Sequence, residues 1–144
     1  MPVPTEAQEQ ATLVEWLTLK RWLFTATAQA TPAGRMTAAG WKPAFGTLRK
    51  NKALGVRKGF PDLCVVTPSG QVAFIEMKRK NGVFSDISTE QLEWLNALNG
   101  FGVPSVVCCG AAEAMDFCMA LQSENWSWRG KLYGMQPSGC AYAR

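Results

Sequence analysis

The stretch from Gly59 to Lys80, GFPDLCVVTPSGQVAFIEMKRK, constrains the fold of this chain more than any other. Leu63 to Thr67 is rich in β-branched residues and reads as a strand. Pro68-Ser69-Gly70 supplies turn residues, and Gln71 to Met77 reads as the returning strand. With a three-residue loop Thr67 faces Gln71, and counting back sets Asp62 opposite Glu76. Directly opposed residues of an antiparallel pair share a face, with Cβ atoms roughly 4.5–5.5 Å apart. The two-residue alternation of a strand then returns Lys78 to the face of Glu76.

Two carboxylates that close repel unless a proton or a cation lies between them. An all-oxygen site, completed by waters and a backbone carbonyl such as that of Met77, suits Mg²⁺ or Mn²⁺. The ammonium of Lys78 points to an anionic substrate or to a water that must be oriented. Hydrolysis of a phosphodiester uses all of these parts. A solvated hairpin with alternating charges would carry the same residues, so the pattern alone leaves both readings open.

What is missing narrows the chemistry. The 144 residues include no histidine, which excludes Ser-His and Cys-His nucleophiles and His-ligated zinc. The five cysteines lack metal-type spacing; Cys64, Cys108 and Cys118 fall in apolar segments, Cys109 adjoins one and Cys140 sits in the tail. They read as free thiols of a reducing cytoplasm. Neither a signal-peptide pattern nor a membrane-length apolar run is expected. The length suits one domain with its own core. Between Trp16 and Pro61 there is no acidic residue, while Lys20, Arg21, Arg35, Lys42, Arg49, Lys50, Lys52, Arg57 and Lys58 all fall there. Lys78, Arg79 and Lys80 form a second basic cluster. Basic surface on both sides of a carboxylate pair favours a nucleic acid over a small phosphate ester.

Glu6 to Lys20 reads as an amphipathic helix with Leu13, Val14 and Leu17 on its buried stripe. Glu6 and Gln10 extend that stripe and Glu9 lies at its margin, so either Glu6 or Glu9 can turn a carboxylate toward a polar centre. Trp22 to Thr27 is expected as the first strand. Gln29 to Lys58 reads as a long basic excursion, with a short helix from Phe45 to Ala53; Trp41 and Phe45 can stack on bases or pin the loop to the core. Ser88-Thr89-Glu90-Gln91 matches a capping box opening a helix that runs to about Asn99 and ends at Gly100. Gln91 can serve that cap or face the centre. Val103 to Cys108 is expected as a buried strand and Ala111 to Leu121 as a helix. Residues 1–122 make one domain; 123–144, with Trp126, Trp128 and Tyr133, form a tail that docks on the core or on a partner.

The order helix, strand, hairpin, helix, strand, helix, with carboxylates on the first helix and the hairpin, resembles the PD-(D/E)XK nuclease superfamily. Within it the chain is similar to the VRR-NUC family, especially its small stand-alone phage members. The likeness rests on Glu6 with Gln10, Asn51-Lys52, Gly55-Val56-Arg57-Lys58-Gly59, Pro61-Asp62-Leu63, Phe74 through Lys80, Ser88 through Gln91 with Trp94, and Gly102. It implies an α/β, restriction-endonuclease-like core (αβββαβ), a mixed sheet flanked by helices. It also implies a Mg²⁺- or Mn²⁺-dependent endonuclease leaving 5′-phosphate and 3′-hydroxyl ends, acting as a homodimer on branched DNA such as a four-way junction or flap.

In that reading Asp62, Glu76 and the Met77 carbonyl hold the metal and Glu6 completes the outer coordination. Lys78 positions or activates the water, and Gln91 holds the lysine or the water. Arg49, Lys50, Lys52, Arg57, Lys58, Arg79 and Lys80 would meet DNA. Where many relatives carry a His or Asn-Gly element after the first strand, this chain has Ala26-Thr27-Ala28-Gln29; that departure is expected to bear on substrate guidance and to leave the metal site untouched. A catalytically idle nucleic-acid-binding subunit and a sequence-specific restriction-type enzyme are the competing readings.

Overall fold

The computed structural model describes residues 1–27, 34–38, 40–43 and 45–123. The first helix, α1 (Glu6–Leu19), starts where Thr5 caps it: its hydroxyl accepts from the Gln8 N–H at 3.3 Å, and the Gln8 side chain accepts from the Thr5 N–H at 2.9 Å. Two orphan donors of the first turn are thus satisfied reciprocally. Leu13 and Leu17 are fully buried and Val14 packs against them, which matches the expected stripe. At the other end the Trp22 N–H donates to the Leu17 carbonyl and the Arg21 N–H to that of Thr18. This is a Schellman closure, and it requires the residue between to be left-handed.

Strands β1 (Leu23–Ala26), β4 (Leu63–Val66), β5 (Val72–Lys78) and β6 (Ser105–Cys109) form a mixed sheet in the order β1-β4-β5-β6. The first three run antiparallel and β6 lies parallel to β5. A separate two-stranded hairpin, β2 (Gly34–Thr37) with β3 (Gly40–Pro43), and the helix α2 (Phe45–Ala53) lie between β1 and β4. The expected excursion is therefore not continuous loop. Its short strands escape a periodicity search because four-residue elements carry too little pattern. Helix α2 has the expected bounds, whereas the side chains of Trp41 and Phe45 lie outside the described residues, as does everything beyond residue 123, including Trp126, Trp128, Tyr133 and Cys140.

Helices α3 (Thr89–Gly100) and α4 (Ala111–Gln122) complete the layers. One face of the sheet, with Leu63, Val65, Ala73, Ile75, Met77, Val106 and Cys108, packs under α1 and α4. On the other face Val107 and Cys109 pack with Ile87 and Leu95, bringing α3 against β6. The result is a small α/β domain with a four-stranded mixed sheet flanked by helices. Helix α3 closes by the same Schellman bonds as α1, Val103 N–H to the Leu98 carbonyl and Gly102 N–H to that of Asn99. Its left-handed residue is Gly102, at φ +90°, and the helix ends at Gly100 as expected from sequence. Among the described residues no helix is long and apolar enough to cross a membrane.

Gly102 and Arg21 hold equivalent positions, yet Arg21 sits at φ +57° with a Cβ. The left-handed region costs an L-residue roughly 1–2 kcal/mol, offset in part by the larger unfolded-state entropy of glycine. Arg21→Gly is therefore expected to stabilise the protein by about 0.5–1 kcal/mol. A thermal midpoint that does not rise would mean that the Arg21 side chain contributes as much as its backbone loses.

Candidate functional site

The hairpin forms with the register expected from sequence. Leu63 pairs with Ile75 and Val66 with Val72, and the Thr67 N–H donates to the Gln71 carbonyl at 2.9 Å, so Asp62 falls opposite Glu76. Alternation sends Ile75 and Met77 to the α1–α4 face and Phe74, Glu76 and Lys78 to the other. Extending the register also sets Pro61 opposite Met77. In this ladder the odd-numbered residues of β4 bond toward β5, and the Thr27 N–H donates to the Asp62 carbonyl at 2.8 Å on the other side. Proline has no N–H to give the Met77 carbonyl, while the Met77 N–H turns to Asp62 Oδ2 at 2.8 Å. That carbonyl is thereby released from the ladder beside the two acids.

Glu76 is almost completely buried, 1 % exposed. Its Oε1 accepts from Lys78 Nζ at 2.9 Å and from Gln91 Nε2 at 2.5 Å. Its Oε2 is buried with no hydrogen-bond partner. A buried acceptor left bare costs on the order of 1–3 kcal/mol, more when charged, so such an atom marks a place for something further to bind. Lys78 is buried as well, and its ammonium lies 3.9 Å from Glu6 Oε1, at the half-exposed start of α1. Glu9 goes elsewhere: its Oε2 accepts from the Ala111 N–H at 2.8 Å and caps α4. Of the two helix carboxylates, Glu6 therefore faces the cluster.

Gln91 serves both purposes that its sequence position allowed. Its Oε1 accepts from the Ser88 N–H at 2.9 Å and its own N–H donates to Ser88 Oγ at 3.1 Å, closing the capping box. The same side chain's Nε2 then donates to Glu76. The start of α3 is in turn clasped by the segment leading to Asp62. Gly59, at φ +83°, lies so close that a Cβ would come within 2.5 Å of the Glu90 backbone carbon. Trp94 Nε1 donates to the Lys58 carbonyl at 2.9 Å, and Phe60 meets both Phe74 and Trp94 edge-on.

Burial, reinforced by the facing charge of Asp62, pushes the Glu76 carboxyl up to about 7 from 4.5, with Lys78 opposing the rise. Asp62 is raised too, again by burial, although the Met77 N–H and Lys78 pull it down. For Lys78, burial alone would lower the ammonium. The hydrogen bond and charge of Glu76, with Glu6 and Asp62, outweigh it and hold the group above its usual range. Burial pushes the Cys118 thiol up to about 12 and raises Cys64, which disfavours both as nucleophiles.

Among the described residues no three His, Cys, Asp or Glu side chains form a ready-made metal cluster. The donors that fit a hard divalent cation are thus the bare Glu76 Oε2, Asp62, the released Met77 carbonyl and water, with Glu6 in an outer position. The basic residues are dispersed: Arg49, Lys50, Lys52, Arg57, Lys58, Arg79 and Lys80 are all exposed, the first three on α2. Sequence reasoning missed Thr27. Besides its bond to Asp62, its hydroxyl donates to the Pro61 carbonyl. Thr27, in the segment where the chain departs from the resembled pattern, therefore holds the backbone that carries Asp62. Only the β1–β4 pairing reveals this.

A carboxyl raised to about 7 keeps protons in the folded state that the unfolded chain has released. In EDTA the protein is expected to lose stability as pH climbs from 4.5 to about 7, by up to about 1.4 kcal/mol per pH unit for this proton. Asp62, raised in the same direction, adds to the acid end of that window. Urea midpoints across the window should show a shallower slope in Glu76→Gln; an unaltered slope would place the proton elsewhere.

The family model described as the VRR-NUC domain matches residues 4–112, which span the whole of this cluster. Comparison with curated proteins and with solved structures finds no match.

Proposed function

The chain belongs to the VRR-NUC family, a nuclease-type domain with DNA as its substrate, and from that premise we propose that it is a Mg²⁺- or Mn²⁺-dependent endonuclease selective for branched DNA. The observation that carries the reading is Glu76. Two donors saturate one oxygen of a buried carboxylate, the other is bare, and a second carboxylate faces it. A buried carboxylate facing a second, partly buried one is costly unless the pair serves a cation.

When held by Asp62, Glu76 and the Met77 carbonyl, the ion would polarise a phosphoryl oxygen and lower the pKa of an attacking water. Lys78 works as a cation. Because its neighbours keep it protonated, it orients the water and stabilises charge developing on the phosphate, and abstracts no proton itself. Gln91 fixes the Glu76 carboxylate so that Oε2 points away from Lys78, and Glu6 steadies the ammonium from outside. Symmetric cuts across a four-way junction require two such centres related by a two-fold axis, which is why a homodimer suits this reading. A role in phage replication, recombination or repair follows from that substrate.

The test is a panel of linear, nicked, flapped and four-way DNA substrates incubated with Mg²⁺ or Mn²⁺. Branched substrates should be nicked preferentially, leaving 5′-phosphates. Asp62→Asn and Glu76→Gln should each lose nicking while still binding DNA in Ca²⁺; nicking at the wild-type rate in both variants would refute the assignment. Lys78→Ala should slow the wild-type reaction on the order of 10²-fold or more, and a change below about threefold would reduce it to a phosphate contact. Binding without cleavage in the wild type under every metal condition would instead favour the idle subunit.

A further inference from the structure

Just before Asp62, one exposed cation of the basic segment rests on an aromatic ring. The Arg57 guanidinium lies over the Trp94 ring, 4.6 Å from its centroid. The ring is itself immobilised, by the Nε1 hydrogen bond to the Lys58 carbonyl and by the Phe60 edge contact at 4.9 Å. Phe60 in turn meets Phe74, two residues before Glu76 on the same face of β5, at 5.0 Å. A chain of rings therefore connects the strand that carries Glu76 to the guanidinium of Arg57. Its position relative to the acids is set by packing rather than by a long flexible side chain.

Stacking engages the face of a guanidinium and leaves its edge, with the N–H donors, available. Among the described residues no carboxylate pairs with Arg57, which is exposed. Trp94 lies three residues after Gln91 on α3, about one helical turn, roughly 5 Å, further along. We propose that the Arg57–Trp94 stack is a preoriented clamp for a backbone phosphate of the nucleic-acid strand, next to the one at the Asp62–Glu76 pair. The placement rests on the nuclease reading, since phosphates repeat along a strand at roughly 3.4 Å of helix axis. A phosphate one or two nucleotides from the site of attack then meets a planar donor fork that has little rotamer freedom left to lose. Trp94 acts through Arg57, as a positioning residue, and makes no demand on base identity.

Three variants and one binding measurement test the clamp. A fluorescent duplex oligonucleotide is titrated in EDTA over a range of salt concentrations, so that binding is read without cleavage. Arg57→Ala should flatten the plot of log affinity against log salt by about 0.9, the slope expected of a single phosphate that the variant no longer neutralises. Arg57→Lys keeps the charge and should restore that slope, yet bind about two- to fivefold more weakly because the stacked fork is gone. Trp94→Leu, where folded, should weaken binding in the same way as Arg57→Lys. Steady-state cleavage by Arg57→Ala should show a larger rise in KM than fall in kcat.

An unchanged salt slope in Arg57→Ala would overturn the clamp. So would wild-type affinity in Arg57→Lys at every salt concentration, because charge alone would then suffice. Being exposed, Arg57 can be replaced without risk to the core, so the result does not hinge on Trp94. These outcomes are separable from the nuclease reading: a wild type that binds but never cuts, with Arg57→Ala still flattening the slope, sinks that reading and leaves the clamp standing.

Discussion

Holding one carboxylate out of water is the constraint on which the rest of this structure turns. Desolvating an ionised Glu76 costs several kcal/mol even in a relaxed protein interior, so the surrounding elements must supply compensation. They supply it on one side only. Lys78 reaches back from two residues along the same strand and Gln91 reaches across from α3, and both bond to Oε1. The other oxygen has no partner, and the facing Asp62 adds repulsion. A protein selected for stability alone would place an apolar residue there. In the proposed reading, the unfinished compensation is what would give the site its affinity for a further positive charge.

Several side chains perform a structural and a chemical task with the same atoms, which ties the fold to the site. Gln91 spends its carbonyl oxygen on the α3 cap and its amide N–H₂ on Glu76, so the first turn of the helix and the orientation of the acid are one arrangement. Pro61 interrupts the β4–β5 ladder by lacking a donor, which frees the Met77 carbonyl beside the acids. Gly59 allows the chain to press against the α3 backbone, and Thr27 bonds to the backbone of both Pro61 and Asp62. Loosening any one of these contacts moves an acid relative to its partner. Sites held by rigid elements tolerate little such displacement.

Much of this was legible in the residues themselves, because the relevant signals are local. The turn Pro68-Ser69-Gly70 set the hairpin register, and from it the pairing of Asp62 with Glu76 and the shared face of Lys78 followed by counting. Ser88 through Gln91 announced a helix start that the structure closes with both expected bonds. The end of that helix at Gly100 was legible too. What the residues did not show is that the left-handed closure beyond it falls at Gly102. The hairpin inside the basic excursion was invisible because its strands are too short to show a period.

The linear order of residues by itself determined the absence of histidine, the register of the hairpin that brings Asp62, Glu76 and Lys78 together, and a basic stretch free of acids before them. Those are consequences of composition and of contacts between near neighbours in the chain. Only the tertiary structure decided that Glu6 rather than Glu9 faces Lys78, that Gln91 serves cap and carboxylate at once, and that Arg57 rests on Trp94. Each of those choices joins elements far apart in sequence. Which of two adjacent helix carboxylates turns inward depends on what packs against the helix, and no local propensity encodes that.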